Sequence, residues 1–278
     1  MSNRSTCRIV VPVYRGEFTS DEKISLSTIR EHLSGYGICF VAPESLVLEG
    51  ITRQGEVVER FSDEFFQGIE GYNRLLKSRE FYRRFGASDY ILIAQLDCLI
   101  FSGELDSWMK RGYDYLAAPW FRAFAEGHKP GLWRVGNGGL SLRKIRSHLR
   151  ILEQEVIMGS IYPRFGNSYW KESCSRMYAG LYRGVRFIAS LFPMAQKSTV
   201  ERELLAYPHN EDVFWSIEAR KFDPDFRVAT ANEGLAFAFE TDPRWCYQQN
   251  GRKLPFGCHA WARYDRAFWE DLLNIHPR

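Results

Sequence analysis

The chain has 278 residues, of which 45% are hydrophobic and 26% charged, with a net charge of +3. That is the composition of an ordinary globular protein long enough to bury a sizeable core, and the small net charge leaves no electrostatic footprint for nucleic acid. Six cysteines, none in a CxxC pair or in a His/Cys cluster of zinc spacing, argue against a zinc site and fit a reducing cytosol. The opening apolar stretch is interrupted by Pro12 and Arg15 and does not read as a secretory signal. No window approaches the ~20 apolar residues that span a bilayer.

Arg8–Tyr14 (RIVVPVY) predicts a first strand that ends in the loop RGEFTSDE. Lys23–Leu33 has helical periodicity, with Ser20 as its N-cap. Ile38–Ala42 and Glu56–Phe61 read as the next two strands, and Gly71–Phe85 as one helix with apolar residues at 72, 75, 76, 82 and 85. Tyr90–Phe101 (YILIAQLDCLIF) is a nearly unbroken apolar run, the pattern of a strand buried on both faces. This alternation predicts an α/β fold: a mostly parallel sheet with helices on both faces. Further on, Tyr113–Pro119 reads as a short strand and Trp133–Leu142 as a Gly-rich turn between two extended pieces. Ile145–Met158 reads as a helix and Leu235–Glu240 as a strand. No linker divides the chain, so residues 1–278 are read as a single domain. Cys39 and Cys98 sit inside apolar runs and read as small core residues.

Four segments carry chemistry. In the buried run, Asp97 is a carboxylate whose burial is costly unless it is paired. At the C-terminal edge of a parallel sheet, where open α/β folds bind ligands, it could hold a divalent cation and through it a phosphate; a loop cap or an ion pair accounts for it equally. VGNGGLSL at 135–142 is neither a P-loop nor a dinucleotide fingerprint. Its glycines permit positive φ and close approach of backbone to a ligand, although Asn-Gly is also a strong hairpin signal. In HNEDVFW, Asn210 can cap a helix whose first turn holds Glu211 and Asp212, and Asp212 could act as a general base. In LPFGCHAW, His259 is a structural histidine or a metal ligand.

Taken in order, strand–QLD, glycine loop, NED on a helix and a C-terminal His resemble the GT-A glycosyltransferases, which transfer a sugar from a nucleotide donor. VVPVYR is similar to their first strand. The wording QLDCLIF, VGNGGLSLR, NEDVFW and LPFGCHAW resembles a bacterial and fungal family long known only as a domain of unknown function. The likeness runs from about residue 8 to 270. It implies a GT-A, Rossmann-like fold in which Asp97 and His259 bind Mn2+ or Mg2+. Asp212 would be the catalytic base beside Glu211, in an inverting transfer. Gly138 and Gly139 would lie against donor sugar or acceptor, and Pro12, Tyr14, Arg15, Asn73, Arg74 and Gln95 would lie toward a UDP- or GDP-sugar. Gln95 stands where that family has the first Asp of its DxD motif, which removes one negative charge. It also keeps open a non-catalytic nucleotide- or glycan-binding module. A sugar nucleotidyltransferase shares the sheet but needs a Gly-rich basic signature after the first strand, which RGEFTSDE does not supply.

Residues 159–207 fit the core pattern poorly and read as a basic helical insertion. Between Arg164 and Arg202 seven Lys/Arg stand against two Glu, a local +5. Met177, Leu181, Val185, Ile188 and Phe192 fall on one helical face with Arg176, Arg183 and Arg186 on the other. This is compatible with peripheral contact to an anionic membrane near 176–192 or with an ordinary packed helix. The resemblance therefore implies a cytoplasmic, metal-dependent glycosyltransferase, with peripheral contact at the inner face of the membrane left open. Its acceptor would be a glycan or lipid-linked hydroxyl in polysaccharide synthesis.

Overall fold

The structure, a computed structural model, describes residues 6–123, 130–157 and 197–273. Its centre is a six-stranded sheet in the order β3-β2-β1-β4-β9-β6. The strands are β1 (Cys7–Pro12), β2 (Gly37–Pro43), β3 (Val57–Phe61), β4 (Tyr90–Ala94), β6 (Tyr115–Ala117) and β9 (Leu140–Lys144). β3, β2, β1 and β4 are parallel; β9 runs antiparallel to both its neighbours, β4 and β6. The fold is thus α/β with a mostly parallel sheet and helices around it, as the alternation of elements predicts. β1 and β4 sit mid-sheet, and Ile9, Val10, Val11 and Ile91–Ile93 have no exposure at all, the burial expected where helices cover both faces. Cys39 and Cys98 are buried in the same core. Among the described residues no helix is long and apolar enough to cross a membrane.

Several boundaries differ from the sequence reading, each for a local reason. The first helix is Ser20–His32, and its N-cap is Thr19: the Thr19 hydroxyl accepts from the Glu22 amide while the Glu22 carboxylate accepts from Thr19. The predicted 71–85 helix is two, Gly68–Leu75 and Arg79–Arg84, because Ser78 caps the second through the Phe81 amide. The predicted 145–158 helix ends at Leu152 and gives way to β10 (Glu155–Ile157), which pairs with β11 (Lys197–Thr199). The first half of Leu235–Glu240 is helix: the Thr230/Glu233 capping box starts a helix over Ala231–Phe237, leaving only β12 (Ala238–Phe239) as strand. Of the basic insertion, residues 158–196, which include the 176–192 helix, lie outside the described residues.

The correction that matters most concerns the run 90–101. β4 stops at Ala94, the chain turns over Gln95–Asp97, where the Cys98 amide donates to the Gln95 carbonyl, and β5 (Leu99–Ile100) joins a different sheet. That second sheet has the order β12-β13-β5, where β13 is Gly257–Cys258. β13 is parallel to β12 and antiparallel to β5. The end of β12, the end of β13 and the beginning of β5 therefore share one edge.

Candidate active site

That shared edge assembles the first half of the site. Asp97 enters β5, Glu240 leaves β12 and His259 leaves β13, its amide donating to the Phe239 carbonyl at 2.9 Å. The edge abuts the C-terminal end of β4, where the Gln95 amide donates to the Gly139 carbonyl at 3.0 Å and carries the β4–β9 ladder one step further. His259 Nε2 lies 3.3 Å from Asp97 Oδ1 and 3.2 Å from Gln95 Oε1, while Nδ1 lies 3.3 Å from Glu240 Oε1. Asn137 fixes the Glu240 carboxylate, donating to it at 2.5 Å, and accepts from the Gly139 amide at 2.9 Å.

Burial by itself pushes the His259 imidazole pKa down, but the bonds to Asp97 and Glu240 outweigh it and lift it to about 10. The same contact holds the Asp97 carboxyl below its usual range in spite of its burial. Among the described residues, Asp97 Oδ1 meets no polar group other than His259 Nε2, at the long distance of 3.3 Å, so a buried carboxylate oxygen is only weakly satisfied. A cation would satisfy that oxygen. Asp97 Oδ1 and Gln95 Oε1 flank His259 Nε2 at 3.3 and 3.2 Å; a divalent cation there would displace the Nε2 proton, which would leave one hard oxygen and one imidazole nitrogen as ligands with Gln95 Oε1 beside them. The carboxylate behind the imidazole is the arrangement that orients a ligating histidine. Among the described residues no group of three or more His, Cys, Asp and Glu side chains could hold a metal ion; an ion held by Asp97 and His259 would need the rest of its coordination from a ligand and water.

The second half is built on the segment after Asn210. Asn210 occupies the N-cap position, yet its side chain makes no capping bond; its amide oxygen accepts from Asn73 instead, at 3.1 Å. Asn73 Oδ1 in turn accepts from the Glu211 amide at 2.7 Å, so a residue expected to face nucleotide pins this turn. Glu211 is buried with both oxygens on Arg143, at 2.7 and 2.8 Å, and Arg143 is itself fully buried and bonded to Ser141 and Tyr82. Both oxygens of the Glu211 carboxylate are thus engaged by Arg143. Among the described residues Asp212 has no basic partner within an ion pair's reach. Burial and the adjacent Glu211 charge raise its pKa from 3.8 to about 7. The one helical turn Glu211–Val213 runs into a π-helical stretch, Phe214–Glu218.

The glycine loop joins the halves, in a different way from the sequence reading. β8 (Leu132–Val135) pairs with β7 (Pro119–Phe121) and not with β9, so the loop is no hairpin turn. Nor do Gly136, Gly138 or Gly139 have positive φ. They are glycines for space. A Cβ on Gly138 would stand 2.3 Å from Glu211 Oε1 and 3.5 Å from the Asp212 Cβ, and one on Gly139 would stand 2.1 Å from His259 Nε2. The adjacent pair is thus the seam with Asp212 on one side and His259 on the other.

Tyr14 is nearly half exposed at the end of β1, edge-on to Phe66 and Tyr72; burial of its hydroxyl and the charge of Asp97 push its pKa up. Pro12 is buried where β1 ends. Arg15 is spent on Glu22 at 2.8 Å, and Arg74 on the Glu64 carbonyl at 3.2 Å. Sequence reasoning missed Glu240, Asn137 and Arg143. Two of these lie inside the VGNGGLSLR stretch, but nothing in it shows that Arg143 points inward at a residue 68 positions away. A cavity of about 800 Å3 beside Asp89 and Lys144 lies at the opposite end of the sheet, where β4 begins and β9 ends.

A family model described as "Protein of unknown function (DUF5672)" matches residues 56–259. No curated protein matches the chain. Among solved structures, the mannosyltransferase Ktr4p from S. cerevisiae is similar over 42% of this chain and 39% of its own, with 15% identity and a TM-score of 0.31. It has also been solved in complex with GDP. The apo-form glycosyltransferase GlyE of Streptococcus pneumoniae TIGR4 is similar over 98% of this chain and 61% of its own, with 10% identity and a TM-score of 0.42. The chain thus spans well under half of the first structure and about three-fifths of the second, and at these TM-scores neither likeness decides an activity.

Proposed function

We propose, for a chain that belongs to the DUF5672 family, that it is a glycosyltransferase moving a sugar from a UDP- or GDP-sugar to a hydroxyl of a glycan or lipid-linked acceptor. The single observation that carries this reading is the pairing across Gly138–Gly139. On one side Asp97 Oδ1 faces the carboxylate-backed His259 at 3.3 Å; on the other stands a carboxylate, Asp212, whose pKa is lifted to about 7. Transfer from a nucleotide sugar needs a site of that kind in two parts.

The first part receives the leaving diphosphate. Asp97 and His259 would hold a divalent cation there, Mn2+ or Mg2+, which when bound neutralises the charge that develops on the leaving oxygens. Glu240 keeps the imidazole turned toward Asp97, and Gln95 offers an amide oxygen where a second carboxylate would add charge. Tyr14 and Pro12 lie at the neighbouring strand end, on the side where the nucleotide would enter. The second part handles the proton. Asp212, ionised, accepts the proton of the attacking hydroxyl, and a pKa near 7 is matched to that task at neutral pH. Glu211 does not react; its ion pair with Arg143 anchors the turn and its charge raises the Asp212 pKa. With base and leaving group on opposite sides of the donor carbon, the configuration inverts.

The test is a thermal-shift screen of UDP- and GDP-sugars with and without Mn2+. A donor that binds the native state alone raises the midpoint by mass action. Transfer is the reading if one donor does so in a Mn2+-dependent way and is then hydrolysed or transferred; a flat response to every donor overturns it.

A further inference from the structure

Lys77 follows the helix Gly68–Leu75 and is only 6% exposed. Its ammonium lies over the Tyr207 ring, 5.4 Å from the centroid, and among the described residues it has neither a hydrogen-bond acceptor nor an ion-pair partner. Four positions earlier, Asn73 donates to Asn210 and accepts from the Glu211 amide. Asn73 and Lys77 therefore meet the two ends of segment 207–211, which leads directly into Asp212.

The balance of effects decides what this ammonium is for. A cation over an aromatic ring gains less than it costs to take an ammonium out of water with its three N–H donors unmet. A methionine would fill the same space against Tyr207 without that cost, so packing does not account for a lysine. The acids around it do not account for it either. Burial pushes its pKa down to about 8; the charges of Glu211 and Glu70 act against this and that of Arg74 adds to it. Yet both Glu211 oxygens are committed to Arg143, and Glu70, exposed on the helix surface, lies 3.9 Å from Arg74. Neither acid spends an oxygen on Lys77, which stays mostly protonated at neutral pH. Around Tyr207 the residues Leu205, Ala206 and Pro208 are exposed, so a small anion has a short way in.

We propose that Lys77 is the cationic centre of an anion-binding site on the turn that carries Asp212, taking one phosphate or carboxylate group. The anion's oxygens would meet the ammonium's unused N–H donors, with the Tyr207 ring closing the other side. An occupied site would tie the helix Gly68–Leu75 more firmly to segment 207–211, the segment that positions Asp212. The site stands on Lys77 itself; the transfer reading bears only on whether the anion belongs to the nucleotide donor or to an acidic acceptor.

The experiment follows the melting temperature of the whole protein titrated with sodium phosphate, with sodium glucuronate and, as a control for ionic strength, with sodium chloride. Parent and Lys77→Met are compared, since Met keeps the length of the side chain. One of the two anions should raise the parent's midpoint beyond the chloride control, by mass action. In Lys77→Met its half-saturating concentration should rise about tenfold or more, the share of one charged hydrogen bond. The free variant should melt no lower than the parent, because an unpaired buried charge has been removed. An anion response kept in Lys77→Met, or a parent that responds to neither anion beyond chloride, overturns the proposal. If the variant does not fold, the parent alone decides. Its lysines are acylated at pH 7.5 and read by mass spectrometry: slowing of Lys77 by phosphate or glucuronate, with the other lysines unaffected, supports the site, and an unchanged Lys77 rate overturns it. UDP and GDP are then added at saturating anion. Competition assigns the anion to the donor, and additive stabilisation assigns it to the acceptor. No donor response with the Lys77-dependent anion response kept sinks the transfer reading alone; a Mn2+-dependent donor response without any Lys77-dependent anion response sinks this site alone.

Discussion

Asp212→Asn separates a working base from a helix-start residue by the sign of its effect on stability as well as by activity. As a first-turn carboxylate, Asp212 would stabilise the turn by about 0.3–1 kcal/mol, and its removal would destabilise slightly. The structure argues the opposite. A carboxyl whose pKa rises from 3.8 in the unfolded chain to about 7 in the fold is ionised first in the unfolded state. Stability therefore falls as pH climbs from about 4 to 7, and the penalty is complete above that. Its ceiling is about 4 kcal/mol, and the partial exposure of Asp212 reduces it to roughly 1–2 kcal/mol. Asn is close to isosteric and can still accept the bond that Asp212 Oδ1 takes from the Val213 amide at 2.8 Å. Asp212→Asn should thus be more stable than the parent at pH 8, and the difference should vanish near pH 4. Chemical denaturation at the two pH values measures this. On the same preparation, single-turnover transfer should fall on the order of 10²–10⁴ with donor binding kept. The parent's kcat/KM should rise with pH and level off above about 7, as an essential base becomes ionised. A variant destabilised at pH 8 that transfers within a few-fold of the parent refutes the reasoning.

The neighbouring acid should behave in the opposite sense. Glu211→Gln leaves Arg143 buried with no charge partner and should cost about 3–5 kcal/mol, read as a shift in denaturation midpoint; a neutral outcome would show that the pair does not anchor the turn. Asp97→Ala and His259→Ala should each abolish the Mn2+-dependent part of the donor-induced thermal shift while changing the melting temperature of the free protein little. Retained Mn2+ dependence retires either residue as a ligand. Gly139→Ala puts a methyl group 2.1 Å from His259 Nε2, so it should mimic His259→Ala in donor binding although the substituted residue carries no functional group. Wild-type donor binding in Gly139→Ala would mean that the His259 position is not needed.

The sequence by itself carried the α/β class and the mid-sheet strands, and it singled out Asp97, Asp212 and His259 as candidates. Each rests on a signal written locally: unbroken apolar runs such as IVV and YILIA mark strands covered on both faces, and a polar residue within or just after such a run costs free energy that needs a reason. Local signals failed where two of them competed. The 90–101 run reads as one strand because its apolar residues continue past Asp97, and only the pairing of Leu99 and Ile100 with β13 shows that they belong to a second sheet. Leu235–Glu240 has the composition of a strand, but the capping box five residues before it had already begun a helix. The glycines were legible as special, yet not why: their backbone is ordinary, and what they exclude is a Cβ facing His259 and Glu211, residues far away in the chain. Tertiary structure alone decided that Glu240 stands behind His259, that Arg143 consumes Glu211 and that Asp212 lies against Gly138 with no basic partner among the described residues. Those are contacts between segments 19, 68 and 74 or more residues apart. Which side chain meets which across such distances is set by strand order and register, and no local pattern of residues encodes it.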